Sequence, residues 1–143
     1  MSRIDWCDEE DRPGQFALWD ANCHRSLRGR AGQTALRDLE AALLAMAEKR
    51  LVKDALYHGN DVCAVGAYAR HKGLNLADFD SEDETDAVGV QAGMPPLVAW
   101  KVVALNDITF GTVWDVGRGR YRDMTPEERY ARVLAWVRQE LRP

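Results

Sequence analysis

Apolar residues at helical spacing are the feature that most constrains how this chain folds. One such stretch is rich in Ala and Leu and follows two glycines, and its apolar face is Leu36, Leu39, Leu43 and Met46. An earlier stretch has the same periodicity, at Phe16, Trp19, Cys23 and Leu27. These two patterns predict two amphipathic helices, separated where Gly29 and Gly32 interrupt the chain.

The clearest helix start lies near the end of the sequence. Thr125 is placed to act as N-cap, Pro126 as the first helical residue, and Glu128 as the partner of a capping box. The apolar stripe of the helix that follows is Tyr130, Val133, Leu134, Val137 and Leu141. The sequence therefore predicts a long C-terminal helix packed by one face.

The middle of the chain predicts shorter elements. Residues 62–71 indicate a helix capped by Asp61, and residues 85–92 a second one. Residues 96–105 are apolar nearly all round, which places them in the middle of the core, with Asn106 and Asp107 ending that helix. The predicted fold is all-α: about five to six helices in one compact bundle over residues 1–143, with an irregular arm at 1–14. Residues 108–121 indicate an extended loop or one small hairpin.

Composition limits the environment in which the protein works. No segment approaches the run of about 20 apolar residues that a membrane span requires, and the charged first residues lack the apolar core of a secretory signal. Three scattered cysteines, Cys7, Cys23 and Cys63, are typical of reduced thiols. The sequence predicts a cytoplasmic protein that does not bind membranes.

Three segments resemble a known group of proteins: residues 28–51 (RGRAGQTALRDLEAALLAMAEKRL), 62–73 (VCAVGAYARHKG) and 125–141 (TPEERYARVLAWVRQEL). In this order they are similar to a family of small uncharacterised proteins encoded in bacteriophage and prophage regions. The resemblance covers about half of the chain and brings no established site residues. It implies an accessory protein in the host-cell cytoplasm that binds a host protein, such as a defence component.

An acidic ridge is the strongest charge feature. It consists of Asp78, Asp80, Glu82, Asp83, Glu84 and Asp86, with no basic residue among them. A calcium loop is disfavoured because Asp83 stands where glycine is required and Gly89 where a bidentate Glu is required. A solvated acidic face is the simplest interpretation. The alternative is a partner-binding ridge that imitates the charge spacing of a nucleic-acid backbone.

Two arginine clusters offer the opposite charge. They are Arg25, Arg28 and Arg30 near the first helix, and Arg118, Arg120 and Arg122 beside Tyr121. If the clusters meet in space, they predict a site for phosphate or an acidic partner, whereas solvated arginines are the simpler interpretation. The closely spaced glycines at 111–119 match no nucleotide-binding motif, and residues 96–105 lack side chains that read base edges. Trp100, Trp114 and Trp136 are interpreted as core residues, and an exposed tryptophan would instead favour an interface.

Cysteine and histidine residues raise two further alternatives. Cys7, Cys23, His24, His58, Cys63 and His71 match no zinc-site spacing, so neither a metal nor a cofactor is predicted. A Cys63 nucleophile paired with His58 or His71 is a second alternative, because a helix N-terminus lowers a thiol pKa. No residue supplies the third, orienting group.

The sequence supports three hypotheses for the function. The first is a non-enzymatic phage or prophage accessory protein that binds a host macromolecule through charged patches. The second is a nucleic-acid-binding module that uses the arginine segments. The third is a small thiol-dependent enzyme.

Overall fold

The computed structural model describes residues 15–82 and 84–143, with side chains described from Leu18 onward. The predicted arm at 1–14 and the side chain of Phe16 lie outside this part of the chain. The described elements are α1 (Gln15–Arg28), α2 (Arg30–Ala45), β1 (Tyr57–His58), β2 (Asp61–Val62), α3 (Ala64–His71), α4 (Thr85–Gln91), α5 (Pro96–Ala104), β3 (Thr112–Asp115), β4 (Arg120–Asp123) and α6 (Pro126–Glu140). A 3-10 turn at Leu76–Asp78 precedes α4, and a π turn at Leu105–Thr109 continues α5.

The mainly helical prediction is confirmed, but the all-α class is wrong because two antiparallel hairpins are present. The first hairpin pairs His58 with Asp61 across Gly59 and Asn60, and Gly59 has a φ of 60°. A two-residue loop with positive φ matches the twist of paired strands, so the predicted turn becomes a hairpin. The hairpin foreseen at 108–121 is confirmed as β3 and β4, which run from Thr112 to Asp123.

One apolar cluster draws on all six helices. Its fully buried side chains include Leu27 of α1, Leu36 and Leu43 of α2, Tyr68 of α3 and Val133 of α6. Helix α5 lies inside this cluster, with Val98, Ala99, Val102 and Val103 buried. This confirms the central position predicted from its apolar circumference. None of the described helices combines the length and apolar character that crossing a bilayer requires.

The junction of the first two helices differs from the prediction at Gly32. Helix α2 already begins at Arg30, so Gly32 lies inside the helix instead of ahead of it. A Cβ at Gly32 would clash with the carbonyl oxygen of Ser26. The absence of that Cβ lets α2 pack directly against the end of α1.

Two predicted helix ends are also wrong. Helix α3 is capped by Cys63, whose sulfur accepts from Gly66 N at 3.3 Å, because Asp61 is held in β2 and pairs with Arg50. Asn106 does not end α5 but is buried in the π turn. Its side chain accepts from Ala64 N at 3.1 Å and donates to Val52 O at 2.9 Å. These two bonds tie the end of α5 to the segments around it.

Helix α6 starts as predicted. Thr125 accepts from Glu128 N and the Glu128 side chain accepts from Thr125 N, so both halves of the capping box are present. Tyr130, Val133 and Val137 are buried, while Leu134 and Leu141 are partly buried against the same cluster. Tyr130 also donates its hydroxyl to Leu43 O at 2.7 Å, which fixes α6 against α2.

Candidate interaction surface on the β3–β4 hairpin

An aromatic pair lies exposed on the second hairpin. Trp114 and Tyr121 are directly opposite each other in the strand register, so their side chains share one face. Their rings meet edge to face, with centroids 5.0 Å apart. Trp114 is 50% exposed and Tyr121 is 70% exposed. We call this pair, with Val116 at the tip, the hairpin surface.

The tip of the hairpin is held by Asp115. Its carbonyl oxygen accepts from Gly119 N at 2.8 Å, and its side chain accepts from Arg118 N at 3.2 Å. Gly119 closes the turn with a φ of 65°, a conformation that favours glycine. Val116 is left 84% exposed. The turn thus presents an apolar side chain to solvent from an ordered backbone.

The base of the hairpin is anchored by the buried guanidinium of Arg129 in α6. It donates to Phe110 O at 3.0 Å, to Leu51 O at 2.8 Å and to Met124 O at 3.0 Å. Phe110 precedes β3 and Met124 follows β4, so the Arg129 side chain fixes both strands to α6 at the base of the hairpin. Burial lowers the pKa of Arg129, because desolvation disfavours its charged form.

Two ion pairs add to this anchor. Arg122 donates to both carboxylate oxygens of Glu128, at 2.8 and 2.9 Å. The hydrogen bonds from Arg122, with the backbone of Thr125, lower the pKa of Glu128 to about 2. Lys53 lies 3.3 Å from Asp123 on β4. The hairpin surface is therefore carried by a rigid support.

The charges of the hairpin nearly cancel. Arg122 pairs with Glu128, Lys53 pairs with Asp123, and Arg118 lies 3.7 Å from Asp115. Arg120 is exposed and forms no ion pair with any residue that the structure describes. The predicted basic stretch thus has little net positive charge, and its most exposed side chains are apolar and aromatic.

The two arginine clusters do not meet. Arg122 contacts the first turn of α6, whereas Arg28 lines a cleft of about 270 Å³ with residues 139–143 at the other end of that helix. A helix of 15 residues rises about 22 Å, so this length separates the clusters. Arg25 is exposed and bonds Asn22 at 2.6 Å, and Arg30 is exposed at the start of α2. The combined phosphate site predicted from the sequence does not form.

The acidic ridge is spread over a turn and the start of a helix. Asp78, Asp80, Glu82 and Glu84 are exposed, Asp86 is partly buried in α4, and Asp83 lies outside the described residues. Asp80 accepts from Glu82 N at 3.0 Å, a local turn contact. Across residues 15–82 and 84–143, no group of three or more acidic, His or Cys side chains is arranged to hold a metal ion.

The cysteines are poorly placed for nucleophilic chemistry. Cys63 caps α3 as the thiol hypothesis requires, but it is buried, and burial raises its pKa to about 12. The predicted lowering by the helix N-terminus is therefore wrong at this position, since desolvation outweighs it. His58 and His71 are both exposed, and Cys23 is buried with a raised pKa for the same reason.

A groove of about 340 Å³ lies between the first hairpin and the segment after α3. Tyr57 in its wall donates to Phe79 O at 2.9 Å, and Asn75 accepts from Ala77 N at 3.1 Å. These polar groups hold local backbone. They do not converge as an acid–base pair, so the groove is a weaker candidate than the hairpin surface.

Sequence reasoning missed the hairpin surface because it assigned Trp114 to the core. A usable signal was present: the glycines at 117 and 119 centre a turn that brings Trp114 opposite Tyr121. Comparison with known proteins adds no assignment, since no family model, curated protein or solved structure matches the chain. The resemblance to phage-encoded proteins stays a prediction.

Proposed function

We propose that this chain is a non-enzymatic binding protein that engages a protein partner through the hairpin surface. The observation that carries the proposal is the exposure of Trp114 and Tyr121 on a hairpin anchored at its base by Arg129. Tryptophan, tyrosine and arginine are the residues most enriched among those that dominate the energy of protein interfaces. A rigid support adds to affinity, because little conformational freedom is lost on binding.

The charge balance favours a protein over a nucleic acid. Binding to a phosphate backbone depends on unpaired cations, and two of the three hairpin arginines, Arg118 and Arg122, face carboxylates within 3.7 Å. A protein contact has no such requirement, since the cores of protein interfaces are depleted in charge and enriched in aromatic residues. Arg120 then serves as a single charged contact at the rim.

The resemblance of residues 28–51, 62–73 and 125–141 to phage-encoded proteins extends the proposal. On this basis the partner is a host protein met in the host-cell cytoplasm, and the chain acts as a phage or prophage accessory protein. The burial of Cys63 and its pKa of about 12 support binding over thiol chemistry.

Affinity capture from bacterial lysate tests this proposal. The tagged protein is compared with a Trp114→Ala, Tyr121→Ala double variant, with and without nuclease. A matched control is Leu44→Ala, which trims an apolar side chain that is 48% exposed on α2. We expect one nuclease-resistant protein that the control retains and the double variant loses at least about tenfold, as expected for two central interface residues.

Other results would count against it. Equal capture by the double variant would exclude the hairpin surface. Loss of the captured material on nuclease treatment, together with binding that weakens steeply with salt, would favour the nucleic-acid module.

A further inference from the structure

The β3 strand has an open edge whose position follows from the hydrogen bonding. Met124 N donates to Gly111 O at 2.8 Å, just outside the paired strands. Hydrogen-bonded and non-bonded pairs alternate in an antiparallel ladder, so Val113 and Arg122 form a bonded pair. Thr112 and Trp114 then fall in non-bonded pairs, with their backbone N–H and C=O groups directed outward.

These outward groups have no partner within the described residues. No hydrogen bond of the described backbone outside the hairpin involves Thr112 or Trp114. An open strand edge with unpaired groups is a template for another strand, unless charge, proline or a bulge protects it. Thr112, Val113 and Trp114 carry no charge and are all strong strand formers. The β3 edge is thus unprotected up to Asp115.

The β4 edge differs. Asp123 O already accepts from the Arg122 guanidinium at 3.0 Å. Two copies of β4 paired about a two-fold axis at Tyr121 would place Arg122 opposite Arg120, and an axis at Arg122 would place Arg122 opposite itself. Like charges directly opposite each other are destabilising. Self-pairing through β4 is therefore disfavoured.

Two copies of β3 can pair about a two-fold axis without placing like charges opposite each other. A two-fold axis at Val113 places Thr112 opposite Trp114 of the second copy on the exposed face, and Val113 opposite its own copy on the other face. Pairs of β-branched and aromatic residues stabilise adjacent strands. Each side of the axis gains a reciprocal pair of backbone hydrogen bonds, so the two hairpins join into one four-stranded sheet.

We propose that the occupant of the β3 edge is a second copy of this chain, paired antiparallel about Val113. The contact is short, and interfaces that bury less than about 1,200 Å² are weak, so the dimer forms reversibly at high concentration. It depends on the backbone edge of β3, to which Trp114 adds one cross-strand contact, whereas the proposed partner contact depends on the exposed faces of both Trp114 and Tyr121. The two proposals therefore stand or fail separately.

Cysteine cross-linking tests the register directly. In this pairing Val113 faces its copy in a non-bonded pair, where Cα atoms are about 4.5 Å apart, within the range that a disulfide spans. Val113→Cys is made in a Cys7→Ser background, since Cys23 and Cys63 are buried. The control is Val116→Cys, because Val116 is 84% exposed at the tip and far from the proposed axis.

Under mild oxidation we expect Val113→Cys to form a covalent dimer at least about tenfold faster than Val116→Cys, because pairing raises its effective concentration. Adding Thr112→Pro should abolish this advantage, since proline lacks the outward N–H, whereas Thr112→Val should keep it. Faster cross-linking at Val116 would indicate random collision and overturn the proposal. A non-covalent dimer that does not cross-link at Val113 would place the interface elsewhere and also overturn it.

Discussion

Replacing Arg129 by methionine isolates the anchor that joins the second hairpin to α6. Methionine keeps much of the apolar stem but removes every donor, and Arg129 is only 3% exposed. Phe110 O, Leu51 O and Met124 O each accept from its guanidinium at 2.8 to 3.0 Å. No bond of the described backbone outside helices and strands supplies these oxygens with another donor.

The expected loss follows from these three carbonyls. A buried carbonyl deprived of its donor loses about 1 kcal/mol or more, and bonds to charged donors are worth up to about 3 kcal/mol each. The loss is partly offset because methionine has no charge to desolvate. We expect Arg129→Met to lower the free energy of unfolding by about 3 kcal/mol, a large share of the 5–15 kcal/mol typical of a domain. The midpoint of thermal unfolding should fall by about 10 °C.

Urea unfolding followed by circular dichroism measures this difference. The matched control is Arg132→Met, which removes an exposed arginine from the same helix and should change stability by less than about 0.5 kcal/mol. Arg129→Lys should fall between the wild type and Arg129→Met, because a lysine presents its donors from one atom. If Arg129→Met and Arg132→Met unfold at the same urea concentration, the carbonyl anchor contributes nothing and the reasoning is refuted.

Three further perturbations have defined outcomes. Gly32→Ala should destabilise the protein by about 1–3 kcal/mol in urea titration through overpacking. Gly29→Ala, whose Cβ would meet nothing closer than 3.7 Å, should lose only about 0.5 kcal/mol, because alanine is a poorer N-cap of α2 than glycine. Equal losses at the two positions would contradict the close helix junction. Hydrogen bonding to Arg122 lowers the pKa of Glu128 from 4.5 to about 2, so the contribution of Glu128 to folding stability is present above pH 4.5 and is lost as pH falls toward 2. The thermal unfolding midpoint of Glu128→Gln should therefore depend less on pH between 4.5 and 2 than that of the wild type. Equal pH dependence of the two proteins would exclude this linkage. Because Cys63 is buried and its pKa is about 12, it should not react with iodoacetamide at pH 8 until urea unfolds the chain. Peptide mapping measures the labelling, and rapid labelling of the native protein would support the thiol-dependent enzyme instead.

Much of the helical framework was predictable because it depends on local chemistry. The capping box of Thr125 and Glu128 is built within one turn, and the stripe of Leu36, Leu39 and Leu43 follows from helical periodicity. The central position of residues 96–104 also followed from their apolar circumference.

The remaining features depend on contacts between residues distant in sequence. Pairing with Arg50 holds Asp61 in a strand and leaves Cys63 as the helix cap, where burial sets its pKa. By contrast, the arginines at 118–122 looked basic in sequence, and the pairing that offsets two of their charges is local: Asp115 faces Arg118, and Glu128 faces Arg122 where β4 meets α6.

The sequence by itself determined most of the helical framework, the capping box of α6 and the second hairpin, because these depend on neighbours within a few residues. Only the tertiary structure decided that Trp114 lies in solvent, that the two arginine clusters sit at opposite ends of α6, and that Arg129 is buried among three carbonyls. Exposure, charge pairing and desolvation are properties of the packed chain, since each depends on which distant groups exclude water from a side chain.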